Sequence, residues 1–74
     1  MTGKLRIMDR SGDTVVAWST DLQETVDAAN KRFNELLAGG YTAFVMTDTT
    51  TGEQVREFDE TAQSIVMVPR MVGG

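Results

Sequence analysis

The residues most able to take part in chemistry stand at the end of the chain, in Val68-Pro69-Arg70-Met71-Val72-Gly73-Gly74. A carboxylate carried on Gly73-Gly74 has no side chain to obstruct it. Glycine also adopts whatever backbone conformation a narrow channel imposes. Such an end suits a passenger role, in which covalent reactivity belongs to a partner's nucleophile and not to this chain. Arg70 would anchor it to an acidic patch by charge-assisted hydrogen bonds. The plain alternative is a frayed terminus without chemistry.

Elsewhere the means of catalysis are missing. There is no His and no Cys, so the usual general base, thiol nucleophile and soft-metal ligands are lacking. Ser11, Ser19 and Ser64 have no evident activating partner. Asp9 with Asp13 and Asp59 with Glu60 sit near turns without the spacing of a calcium loop and read as solvated charge. The chain therefore does not read as an enzyme, and no cofactor or metal is expected. A net charge of −4, from eleven acidic and seven scattered basic residues, argues against nucleic acid, which demands a basic face. No apolar run reaches the ~20 residues of a membrane span, and the first residues lack the apolar region of a signal peptide. The expectation is a soluble, cytoplasmic domain that is monomeric when free.

Several elements must position that end. Residues 4–8 alternate polar and apolar with Leu5 and Ile7 inward, and residues 14–18 are β-branched and aromatic. With the turn formers Arg10-Ser11-Gly12-Asp13 between them, they predict a hairpin. Ser19-Thr20-Asp21 supplies three candidate N-caps, with Gln23 and Glu24 placed for a capping box. Leu22, Val26, Ala29, Phe33, Leu36 and Leu37 then form one apolar stripe on a helix closed by Gly39-Gly40. Residues 41–47 and 53–58 predict a second hairpin with Val55 and Phe58 inward, residues 59–63 a helical turn or loop, and residues 64–68 a last strand ended by Pro69. That strand has no neighbour in sequence, so the economical position is in the sheet beside the first strand. Trp18, at a strand end just before the helix, is expected in the core against the helix start. The five methionines are expected as fillers of a small core.

A second candidate site follows from alternation. If Ile65 and Met67 face the helix, Val66 and Val68 face away from it. With an outward residue of the 43–46 strand they would form an exposed apolar patch. Partial cover, or simple strand propensity, would explain them equally well.

In element order, length and closing segment the chain resembles the ubiquitin-like β-grasp superfamily. That resemblance implies an α+β fold in the order ββαββ(turn)β, a mixed five-stranded sheet packed on one helix. It implies a domain over residues 1–72 and a flexible tail over 69–74. Ubiquitin-like modifiers likewise carry an Arg four residues before a terminal Gly-Gly, here Arg70. The implied role is a modifier or sulfur carrier activated at Gly74 by an adenylating enzyme and passed to a protein target. Gly73 and Gly74 would be the reactive end, and Arg70, Met71, Val72, Val66 and Val68 the partner contacts. Pro69 departs from the aliphatic residue usual there and stiffens the tail's exit. The closing segment also resembles that of bacteriophage tail-assembly proteins with a β-grasp domain, which implies instead a non-covalent assembly module.

Overall fold

The computed structural model describes residues 1–9, 12–46 and 52–69. The tail residues Arg70, Met71, Val72, Gly73 and Gly74 lie outside the described residues, as do Arg10 and Ser11 of the first predicted turn. The chain runs β1 (Thr2–Asp9), β2 (Gly12–Ser19), α1 (Gln23–Ala38), β3 (Thr42–Met46), β4 (Gly52–Val55) and β5 (Ser64–Val68). The sheet order is β2-β1-β5-β3-β4. β5 pairs parallel with β1 and antiparallel with β3, so the last strand lies between the two hairpins, beside the first strand as expected. The result is an α+β domain with one helix on one face of a five-stranded mixed sheet.

The helix lays Val26, Ala29, Phe33 and Leu36 against Leu5, Ile7, Trp18, Ala43, Ile65 and Met67, all buried. Small residues at Ala29 and Ala43 let helix and sheet approach, and both are fully buried. Gly40, at φ +97°, takes the backbone conformation that ends the helix. Tyr41 N–H then returns to the Leu36 carbonyl at 2.9 Å.

Four expectations are corrected, the first being the methionines as core fillers: Met67 is buried, but Met1 and Met8 are exposed and Met46 is half-buried outside the core. The capping box is absent, because Ser19 is still paired with Thr2 in the sheet and the helix opens one residue past Leu22, with no side-chain cap. Thr25 does related work from the first turn. Its hydroxyl accepts from Ser19 N–H at 2.8 Å and lies within hydrogen-bond distance of the Ser19 and Leu22 carbonyls, at 3.0 and 2.7 Å. Leu22 accordingly leaves the apolar stripe and is 54% exposed. The strand predicted over 53–58 stops at Val55. Val55 and Phe58 stand three apart, so strict alternation would send them to opposite faces. The chain bends at the exposed Arg56 and Glu57, and Val55 and Phe58 thereby both pack against the core.

Trp18 is buried as expected, and its neighbours reach beyond the helix. Phe58 meets it edge to face at 4.9 Å and meets Phe33 at 5.8 Å. The indole N–H donates to the Glu60 carbonyl at 3.1 Å, so the ring's polar group is satisfied. A Cβ on Gly3 would lie 2.2 Å from the indole Cζ2 and 2.7 Å from the Ala62 carbonyl oxygen. Only glycine lets the first strand pass over this ring.

The turn that presents the Glu60 carbonyl is held by Asp59. Its Oδ1 accepts from Thr61 N–H at 2.9 Å and from the Thr61 hydroxyl at 2.5 Å, and Ala62 N–H closes onto the Asp59 carbonyl. These bonds, the hydroxyl's first, hold the Asp59 carboxyl below its ordinary value against a small desolvation effect.

Two outcomes are expected. Gly3→Ala should lower stability by about 1–3 kcal/mol through overpacking against Trp18, measured by denaturant unfolding. Because Asp59 is lowered in the folded state, its contribution is present above the unfolded carboxylate value and lost as pH falls through the folded one. An acid titration of Trp18 emission should therefore show a transition below pH ~4 that shifts or vanishes in Asp59→Asn.

Candidate functional site

Of the residues singled out in the sequence, Val66 and Val68 are described, and both lie where alternation placed them. Ile65 and Met67 are fully buried under the helix, whereas Val66 and Val68 are half-buried on the opposite face. Their sequence partners Arg70, Met71, Val72, Gly73 and Gly74 lie outside the described residues.

Register assembles the rest of this outer face. Val66 stands beside Arg6 on β1 and beside Phe44 on β3. Arg6 in turn faces Val15, and Phe44 faces Gln54. One row therefore crosses every strand as Val15, Arg6, Val66, Phe44 and Gln54. A flanking row contains Asp13 beside Met8, and Val68 beside Thr42. On the other side Lys4 stands between Ala17 and Ser64, and Met46 faces Gly52.

This face is apolar, and open in places. Val15 is 51% exposed and Met8 46%, while Phe44, Met46, Val66 and Val68 are half-buried. None of the last four belongs to the core packed by the helix. Lys4 and Arg6, both exposed, project from the middle of the sheet. Asp13 at the β2 edge is the one carboxylate on this face of the described strands. A protein of net charge −4 thus gathers cations and apolar side chains on the face its helix leaves open.

Phe44 was legible only as some outward residue of its strand. Val15, Met8 and Arg6 were not read as members of the face, because membership depends on pairing β2, β1 and β5 in one register. The signal that could have found them was the hairpin itself: once Trp18 is inward, Val15 is outward by alternation.

The chemistry open to such a face is recognition. Among the described residues no group of three or more His, Cys, Asp or Glu is placed to hold a metal. Among the described residues no polar or charged one is buried. No helix among the described residues is long and apolar enough to cross a membrane. Compared with protein-family models, with curated proteins and with solved structures, the chain matches none of them.

Proposed function

We propose that this chain is a ubiquitin-like β-grasp domain that works without catalysis, as a protein-binding module of a larger assembly. The observation carrying this reading is the outer face, with Val66 set between Arg6 and Phe44. The strand order β2-β1-β5-β3-β4 around a single helix supports the β-grasp assignment. Apolar side chains around exposed cations suit a partner surface with apolar anchors and carboxylates, because each side then satisfies the other on desolvation. Residues 1–72 form the domain in this reading, and 69–74 a tail that adds contacts through Arg70, Met71 and Val72.

A second reading is favoured by the exit of the chain. β5 is central and ends at Val68, so Gly73-Gly74 follows a fixed strand at short range. In this reading an adenylating enzyme activates the Gly74 carboxylate, and the domain is transferred to a protein amine or loaded with sulfur. The outer face then serves to dock the activating enzyme.

The two are separated by variants of an N-terminally tagged protein expressed in its native cell. Val66→Lys should change stability by no more than about 1 kcal/mol yet abolish partner capture, while deletion of Gly73-Gly74 leaves capture intact. Covalent adducts in intact-mass spectra that vanish on deleting Gly73-Gly74 would instead overturn the assembly role in favour of the modifier.

A further inference from the structure

β2 is an edge strand, and its free edge is unusually plain. It runs for eight residues, Gly12–Ser19, and carries one charge, Asp13, with no proline. Edge strands normally guard themselves with lysines, prolines, bulges or brevity. The other edge of the sheet, β4, has only four residues.

The direction of each backbone group on β2 follows from the pairing. Thr20 N–H donates to the Met1 carbonyl across the β1–β2 hairpin. Antiparallel pairing alternates, so residues 18, 16, 14 and 12 also bond toward β1, and residues 19, 17, 15 and 13 turn theirs outward. Ser19 fits this parity and is already satisfied: its N–H donates to the Thr25 hydroxyl and its carbonyl accepts from Leu22 N–H at 3.0 Å. Among the described residues the outward groups of Asp13, Val15 and Ala17 have no such cover, and all three residues are exposed.

We propose that this edge pairs with a second copy of itself about a two-fold axis at Val15. An antiparallel register centred there sets Val15 against Val15, and Asp13 against Ala17 in both directions. Each of these pairs joins residues whose N–H and C=O already face outward, so every pair exchanges both backbone bonds. A centre between two residues would oppose groups already bonded to β1, and a centre on Val16 would set Asp13 against Ser19, whose outward groups are already used. The charges agree as well. Asp13 of one copy stands beside Ala17 of the other, and Lys4 is the next residue across that strand. Two strand spacings of about 5 Å bring the Lys4 ammonium within reach of the carboxylate over the small methyl of Ala17. The Asp13 carboxylates themselves fall at opposite ends of the contact. The contact is isologous and closes on itself, and it puts both helices on one side of a continuous sheet. The backbone bonds of this pairing lie in the sheet's edge, and its side chains Val15, Asp13 and Lys4 belong to the rim of the outer face. It turns the expected free monomer into a reversible dimer.

The test is sedimentation equilibrium of the full chain up to ~1 mM, joined to amide exchange read residue by residue. The mass should rise from 8.1 kDa toward twice that value. The amides of Val15 and Ala17 should gain protection with concentration, while those of Thr14 and Val16 should not change. Val15→Lys should remain monomeric with unaltered Trp18 emission. Asp13→Lys should weaken association by about 3–10-fold, and adding Lys4→Asp should restore it. A mass that stays at that of one chain overturns the proposal. So does a dimer in which the Val15 and Ala17 amides exchange as they do in dilute solution.

Discussion

The sheet depends on β5. The two hairpins share no strand, and each alone would be marginal in water. Only when residues 64–68 enter between β1 and β3 do Ile65 and Met67 become buried and the helix acquire a continuous floor. The pairing of β1 with β5 spans nearly the whole chain, and loop closure must precede the contacts that reward it. Stability in this fold is therefore shared: loss of the central strand separates everything else.

The same insertion creates the open face. A strand with Ile65 and Met67 facing the helix must send Val66 and Val68 the other way, and the neighbours on either side bring Arg6 and Phe44 alongside. A binding surface thus emerges from the core's own requirements. Trp18 fixes the far end of this arrangement, where Gly3, Phe58 and the Asp59–Thr61 turn converge on one ring. That convergence ties the first strand to the segment that leads into the last one.

Much of this was legible in the sequence because it rests on periodicity. The 64–68 strand, its two faces and the apolar face of the helix from Val26 to Leu36 all follow from spacings of two or of three and four. What failed depended on competition between local signals. Ser19, Thr20 and Asp21 all favour caps, yet Ser19 was claimed by the sheet, and Thr25 took up the junction. Phe58 followed burial and not alternation, since a large apolar ring gains more by reaching Trp18 and Phe33 than the backbone gains by two more pairs on an edge strand. The outer face needed the register of three strands, which no single segment encodes. The chemistry assigned to Gly73 and Gly74 rests on residue type alone.

Parallel pairing of β1 and β5 has a mechanical meaning. β1 enters the pair at one end and β5 leaves it at the other. A pull applied between residues preceding Thr2 and residues following Val68 would therefore slide these strands lengthwise past each other. Their cross-strand bonds would share the force together, whereas a hairpin pulled at its open end unzips one pair at a time. Tethered at both ends, such a domain acts as a clamp.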